Sequence, residues 1–398
     1  VSKNASKIQK TSGNTADVGA AAGEPLRYGI IGCGDMAGTH ALNFAQRPDL
    51  FRAVALCDIE PSRMDEVQAK LAAGAPATRR YSDYRALLDD PAVEAVIVAT
   101  PNHLHTEPVV AALESGRPVL CEKPFATTLA ECDRMIAARD RSGKVLQIGL
   151  VLRYARALQA MAEAAAQGRI GRPLMAWCHE LRAPFPIGKN REWRYETAKS
   201  GGAIVEKDCH HFDLFEWMLG ARTTRVQAFG GRAVVEAGKC VEAIPSLDNF
   251  DEQVKCNDIV DHAVINLEFD TGAKACLMLC FFAPNNGLPF GVLGSKGRME
   301  IRMTRQLDGF QLHENARTWE YAEAYPRGDF VRLPEDQTGE GFIVHPGGLR
   351  QHLCFHEAVR KGTPVFCTAE MGRQATAVAL AAEESVRRGG VVVDVAGV

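Results

Sequence analysis

The chain contains no CxxC pair, no apolar run long enough to span a bilayer and no block of basic charge. Each absence removes a class of function. Cys276 and Cys280 stand four apart with no second ligand pair near them, so no zinc-site spacing is present. Twelve cysteines spread over 398 residues, with 46% hydrophobic content, fit a reduced protein whose core is large enough without disulfides. Cys57, Cys121, Cys276 and Cys280 lie in apolar runs and are expected to be buried thiols. A net charge of -3 provides no field for nucleic acid and no polybasic membrane anchor. Residues 1–25 are rich in Ser, Thr, Asn, Gly, Ala and Lys and lack the apolar stretch of a signal peptide, so they read as a flexible tail on a cytoplasmic protein.

What is present is an alternation of apolar strands and helices from Leu26 onward. Strands are expected at Leu26–Ile31, Arg52–Cys57, Ala95–Ala99, Val119–Cys121 and Val145–Gly149. Helices are expected at Gly38–Gln46, Pro61–Ala73, Ser82–Leu88, Glu107–Ser115 and Leu129–Ser142, with Ser82 as an N-cap. This rhythm implies βαβ units and a parallel sheet over residues 26–150. Over residues 151–398 the rhythm changes to a few long helices and consecutive strands joined by short turns such as Asp270-Thr271-Gly272. The expected fold is therefore α/β, an N-terminal Rossmann domain followed by an α/β domain with a mostly antiparallel open sheet.

The first chemical motif is Gly32-Cys33-Gly34-Asp35-Met36-Ala37, which fits GxGxx(G/A), follows a strand and opens a helix. Such glycines let the backbone turn tightly and approach a pyrophosphate at the helix N-terminus. The second strand ends in Asp58, where a carboxylate binds ribose hydroxyls and repels a 2′-phosphate, so the expected cofactor is NAD. Arg63 nearby reads as a solvated helix residue. Two further segments, Thr100-Pro101-Asn102-His103-Leu104-His105 and Glu122-Lys123-Pro124, stand at strand C-termini and should face the same cleft. A third cluster, Glu206-Lys207-Asp208-Cys209-His210-His211-Phe212-Asp213, follows Gly201-Gly202. On a helix Glu206, His210 and Asp213 share a face.

Together these motifs resemble the Gfo/Idh/MocA oxidoreductases, named for glucose–fructose oxidoreductase and inositol dehydrogenase, over nearly the whole chain after the tail. The resemblance implies that Lys123 sits beside the nicotinamide and helps catalysis, that Glu122 contacts cofactor ribose and that the Lys123-Pro124 bond is cis. It assigns Gly32, Gly34, Asp35, Met36, Ala37, Asp58, Thr100, Pro101, Asn102, His105, Glu122 and Lys123 to the cofactor. It also implies pairing of sheets between subunits, hence a homodimer or homotetramer. His210 and Asp213 match the family's pattern, whereas Glu206 stands where Asp is usual and Asp208 where Gly is usual.

Oxidation of a secondary alcohol needs a base for the hydroxyl proton and groups that hold the remaining hydroxyls. Lys123 and His210 are the expected acid/base pair, with Glu206 and Asp213 completing the catalytic set. Glu206 and His210 at i, i+4 are also compatible with a metal, but NAD chemistry needs none and none is expected. The stretch 182–199 carries Arg182, Lys189, Arg191, Arg194 and Lys199 with Trp193 and Tyr195, a composition suited to a sugar bearing an anionic group. Arg153, Tyr154, Lys189, Arg191, Trp193, Arg194 and His211 are the candidate substrate contacts. The leading expectation is a sugar or polyol dehydrogenase. An alternative is a redox-neutral glycosidase, which oxidises C3 transiently, eliminates the aglycone, adds water and re-reduces, with Glu206, Asp208, His210, His211 and Tyr154 as its acid/base groups. A non-catalytic dinucleotide sensor is disfavoured by the presence of both Lys123 and His210.

Overall fold

The computed structural model describes residues 24–183, 185, 191–233, 235–236, 239–240, 257–283, 287–303, 309–314, 329–332 and 347–397. The proposed tail and Lys189 therefore fall almost or wholly outside the described residues. The N-terminal unit runs β1 (Leu26–Ile31), α1 (Asp35–Gln46), β2 (Phe51–Cys57), α2 (Pro61–Lys70), β3 (Arg79–Tyr81), α3 (Tyr84–Leu88), β4 (Ala95–Val98), α4 (Thr106–Glu114), β5 (Val119–Cys121), α5 (Leu129–Ser142) and β6 (Leu146–Ile148). Its six strands are all parallel in the order β3-β2-β1-β4-β5-β6. Every residue of β4, Ala-Val-Ile-Val, is buried, as a parallel strand covered on both faces requires. The direction of strand addition reverses between β1 and β4, which opens a crevice at their C-terminal ends.

Helix ends follow their caps. The Thr128 hydroxyl accepts from Glu131 N at 3.3 Å and Gly143 closes α5 in the left-handed region, so both ends stand where the sequence predicts. The start of α3 differs: Asp83, not Ser82, is the N-cap, its carboxylate accepting from Arg85 N at 2.9 Å.

The C-terminal unit contains α6 (Arg156–Ala166), β7 (Pro173–Leu181), α7 (Thr197–Ser200), α8 (Ala203–Leu219), β8 (Thr223–Gly231), a ribbon of β9 (Val235–Glu236) and β10 (Lys239–Cys240), β11 (His262–Phe269), β12 (Lys274–Cys280), β13 (Leu288–Gly294), β14 (Gly297–Met303), β15 (Gly309–Glu314), β16 (Asp329–Arg332), α9 (Gly348–Lys361), α10 (Ala369–Arg387) and β17 (Val393–Asp394). Its main sheet has nine strands in the order β16-β15-β14-β13-β7-β12-β11-β8-β17. All neighbours are antiparallel except β7 and β12, which run parallel. Helices α8 and α10 cover one face, where Phe212, Phe215, Val378 and Ala382 share a core with Ile265 and Leu277.

The other face exposes Met175, Phe229, Val264, Met278 and Leu293. Cys276 lies there and is exposed, and Cys280 is only half-buried, contrary to the expectation from their apolar runs, while Cys57 and Cys121 are buried. The reason is strand alternation: β12 turns every second residue outward, and apolar residues occupy both faces. Helix α9 returns to the first sheet, where Phe355 packs with Tyr28, Phe44 and Phe51. The backbone of Ile148 donates to Cys367 O at 3.0 Å, so the segment leading into α10 is laced to β6. Among the described residues no helix is long and apolar enough to cross a membrane.

Candidate active site

The crevice between β1 and β4 starts at the glycine turn. Gly32 has φ +86, and a Cβ there would fall 2.7 Å from the backbone of Ala99 and Thr100, so no side chain fits. Gly34 is the N-cap of α1 and provides no side-chain acceptor. The first-turn amides of α1, from exposed Asp35 through Met36 to buried Ala37, therefore open onto the crevice with no side-chain cap. Asp58 at the end of β2 accepts from Cys33 N at 2.7 Å and from Glu60 N at 2.9 Å, which holds its carboxylate beside the turn. Thr100 Oγ1 is buried there without a hydrogen-bond partner. A cramped glycine, an uncapped helix N-terminus, a ribose-ready carboxylate and an orphan hydroxyl fit a dinucleotide. Ile59, 84% exposed beside Asp58, adds an apolar surface to this rim that sequence reading passed over.

The two strand-end segments are tied together rather than both left open. The ring of His105 is buried with Nδ1 3.0 Å from Pro124 O and Nε2 3.0 Å from Thr100 O. Both nitrogens are spent on backbone carbonyls, so His105 braces the cradle instead of presenting itself to a cofactor. Pro101 caps the short turn Asn102–Leu104. The Asn102 amide nitrogen donates to Ser200 O at 2.8 Å and to Glu206 Oε2 at 3.2 Å, so it joins the two units. Glu122 is buried with Oε1 3.1 Å from His40 Nε2, and its Oε2 accepts from Lys123 N at 3.2 Å. Burial would raise its pKa, but His40 and Lys123 outweigh that and hold it below the usual range. His40 Nδ1 lies 2.9 Å from Nε2 of His352 on α9, whose burial keeps it well below an ordinary histidine pKa. Neither His40 nor His352 carries a motif; only the fold brings residues 312 positions apart together.

Lys123 follows on a cis bond to Pro124, as the resemblance implies. Its Nζ donates to Glu206 O at 2.8 Å and to Glu206 Oε2 at 3.1 Å, both groups nearly buried. Lys207 Nζ stands 3.7 Å and Arg194 Nε 4.0 Å from Glu206 Oε1. Burial alone would raise the Glu206 pKa, yet Lys123, Lys207 and Arg194 together bring it down to about 2. A carboxylate that stays ionised is a weak base near neutral pH, so Glu206 anchors Lys123 rather than exchanging protons itself. His210 is one turn further along α8 and nearly buried. In a continuous helix its backbone N–H points to the same Glu206 carbonyl that Lys123 reaches.

Four sequence assignments are corrected by the packing. Both carboxylate oxygens of Asp213 are engaged by a buried arginine: Arg153 Nε donates to Oδ2 at 2.6 Å and Nη2 to Oδ1 at 2.9 Å. Arg153, which also stacks 4.9 Å over Trp217, is thereby removed from the substrate contacts. Removing one partner of such a buried pair costs about 3–5 kcal/mol. Tyr154 is fully buried, with its ring 5.2 Å from Phe366, and lines no cleft. His211 is held between Asp208, 3.0 Å from Nδ1, and Glu180, 3.4 Å from Nε2, and is 3% exposed. Arg191 reaches Asp35 in the glycine turn at 2.6 Å, and Arg194 stacks 5.3 Å over Trp193. Both arginines thus face the cofactor cradle. Among the described residues no group of three or more His, Cys, Asp and Glu is arranged to hold a metal.

A six-stranded Rossmann sheet whose crevice faces a helix from an open-faced second sheet defines a dinucleotide-binding oxidoreductase architecture. Residues 26–150 match the model of the oxidoreductase family, NAD-binding Rossmann fold, and residues 162–395 match that family's C-terminal alpha/beta domain. The chain belongs to this Gfo/Idh/MocA oxidoreductase family. Inositol 2-dehydrogenase of Salmonella typhimurium is 33% identical over 205 residues, 51% of this chain and 57% of that protein. Myo-inositol 2-dehydrogenase of Thermotoga maritima is 30% identical over 254 residues, 62% of this chain and 66% of that protein. The chain thus matches just over half to two thirds of the length of these curated relatives. Levoglucosan dehydrogenase in complex with NADH and levoglucosan shares the fold at a TM-score of 0.78 and 24% identity, covering 94% of this chain and 100% of that one.

Proposed function

We propose that this chain is an NAD-dependent dehydrogenase that oxidises a ring hydroxyl of a sugar or polyol. The observation that carries the reading is the Lys123–Glu206 pair, buried where the end of β5 meets α8 and opening on the dinucleotide crevice. Bound NAD supplies the hydride acceptor for the carbinol carbon. Glu206 holds Lys123 aimed, so its Nζ donates to the hydroxyl oxygen and stabilises the negative charge that develops there. His210 takes the hydroxyl proton as general base and returns it in the reverse direction. Gly32, Gly34 and the first turn of α1 receive the diphosphate, Asp58 the adenosine ribose, and Ile59 the adenine face. Glu122 orients the nicotinamide ribose.

Two buried-side cations favour a sugar with an anionic substituent. Lys207, 3.7 Å from Glu206, lies 5.1 Å from the Phe185 ring, and Arg182, 3.2 Å from Glu180, lies 5.6 Å from it. Burial first, then Arg182 and Lys123, lowers the Lys207 pKa well below that of a free lysine, and an arriving anion would stabilise its ammonium. The curated relatives named above act on inositol, which supports a polyol-like ring as the core of the substrate. The apolar outer face of the nine-stranded sheet supports self-association into a dimer or tetramer.

The redox-neutral glycosidase reading loses support, because three of its extra acid/base groups are engaged elsewhere: Asp208 and His211 pair with each other and Tyr154 sits in the core. The test is purified protein with NAD⁺ and a panel of sugars, polyols and aryl glycosides, acidic ones included. NADH absorbance and aglycone release are followed together. Stoichiometric NADH supports the dehydrogenase; aglycone release without NADH overturns it.

A further inference from the structure

A buried chain of three polar side chains runs from helix α9 to the cofactor crevice, and the proposed function uses only its last member, Glu122. His40 lies on α1 and His352 on α9, and all three groups are buried. His352 Nε2 is 2.9 Å from His40 Nδ1, and His40 Nε2 is 3.1 Å from Glu122 Oε1. Three aromatic rings surround His352: Phe44 at 4.9 Å, Phe51 at 5.8 Å and Tyr28 at 6.4 Å. Its Nδ1 is buried without a hydrogen-bond partner among the described residues. An imidazole buried with one orphaned nitrogen costs stability, so another benefit has to offset it.

The requirements of Glu122 account for that cost. An ionised carboxylate accepts hydrogen bonds and donates none, so His40 Nε2 must carry a proton to meet it. The 2.9 Å contact between the imidazoles needs one further proton, held between His40 Nδ1 and His352 Nε2. The chain ends at the orphaned Nδ1 inside the aromatic sleeve, where a proton has no exit, so it fixes ring orientation instead of conducting protons. On the other side of the carboxylate, Oε2 accepts from Lys123 N at 3.2 Å and lies against Gly149, where a Cβ would stand 3.0 Å from it. Backbone thus bounds Oε2, and Oε1 is left to His40. We propose that His40 and His352 are positioning residues that aim Glu122 at the hydroxyls of the nicotinamide ribose, so that a helix from the far end of the chain sets the seat of the cofactor's reactive half. Lys123 is the next residue, and a shift of the ribose would turn the nicotinamide away from it.

This inference rests on the NAD reading above, and the experiment separates the two. ADP and ADP-ribose differ by the one ribose that Glu122 would hold, and both are titrated by calorimetry. If the wild-type chain binds neither ADP-ribose nor NADH, the NAD reading falls and the inference with it. Given wild-type binding, H40L is expected to weaken ADP-ribose about tenfold while leaving ADP within about twofold. Retained ADP binding also shows that the variant folds. H40Q, whose amide can place an N–H where Nε2 stands, is expected to recover most of that loss. H352F keeps the aromatic packing and removes the Nε2 contact; it should weaken ADP-ribose about three- to fivefold with ADP unchanged, and it makes the same comparison should H40L not fold. In an E122Q background H40L should cause no further loss, because both act through one carboxylate. Equal weakening of ADP and ADP-ribose by H40L and H352F would mean that the imidazoles only join α1 to α9, and would overturn the proposal. So would losses from H40L and E122Q that simply add.

Discussion

Glu206 and Asp208 stand two residues apart on one helix, both buried, and their acidities move in opposite directions. Glu206 is brought down to about 2, while Asp208 is pushed up to about 6. Burial acts the same way on both, raising each. The difference lies in the partners that the helix rotation assigns them. Glu206 faces Lys123, Lys207 and Arg194 across the cleft. Asp208 faces His211, with Glu180 and Glu383 adding negative charge around it. One face of α8 is therefore an ionic centre turned to the cofactor, and the other a proton-sharing cluster turned into the C-terminal core. Two positions where this chain departs from its family's usual residues thus do different work. The Glu206 carboxylate sets a charge in the site, and Asp208 comes with the neighbours needed to bury it.

The hardest blow to the cleft-facing side is K123M. It removes the donor at the reacting oxygen and leaves Glu206 with weaker cation contacts, and kcat should fall about 10³-fold with NADH binding kept within severalfold. A loss below tenfold in steady-state assays would mean that the chemistry lies elsewhere. E206Q is milder, because Lys123 keeps its bond to the Glu206 carbonyl. A misaimed ammonium should cost about 10²-fold in kcat. The same variant tests the electrostatics through stability. A carboxylate depressed to about 2 stabilises the fold above the usual glutamate range, and this contribution fades as pH falls from about 4.5 towards 2. It is on the order of 3 kcal/mol. E206Q should therefore flatten the acid side of a melting-temperature profile between those limits; an unchanged acid limb would contradict the ion-pair account.

Periodicity and turn chemistry made most of the fold legible. The glycine turn, Asp58 and the caps of α5 are local signals, and they act where they stand in sequence. The site was only partly legible because side-chain direction depends on what packs across from it. Arg153 and Tyr154 follow β6 as the family's substrate contacts do, but the short turn Val151–Tyr154 aims them inward, onto Asp213 and Phe366. The 182–199 segment reads correctly as cationic, whereas only the tertiary structure divides its arginines between Asp35 and Glu180. His40 and His352 carried no signal, since a buried contact across 312 residues leaves no spacing to read. The Asp208–His211 pair was available from i, i+3 spacing alone.

D208N tests the core-facing side, and its expected effect is the smallest. In the unfolded chain Asp208 loses its proton near the ordinary aspartate value, while in the fold it holds the proton up to about 6. The folded state therefore binds more protons between roughly pH 4 and 6, and stability declines as pH rises through that window. His211, raised above the usual histidine value although burial opposes it, acts in the same direction: its contribution is complete below about 6.5 and is lost as pH climbs past its folded value. Asparagine keeps the shape and one acceptor for His211 but carries no titrating proton. D208N should melt about 2–4 °C above the wild type at pH 8 and level with it at pH 4, a gain of about 1 kcal/mol. Activity should stay within about threefold, since Asp208 is fully buried on the far side of α8 from Lys123. A hundredfold loss of turnover in D208N at full stability would join the two faces into one catalytic unit and return the redox-neutral glycosidase to consideration, because that reaction alone needs a second acid here.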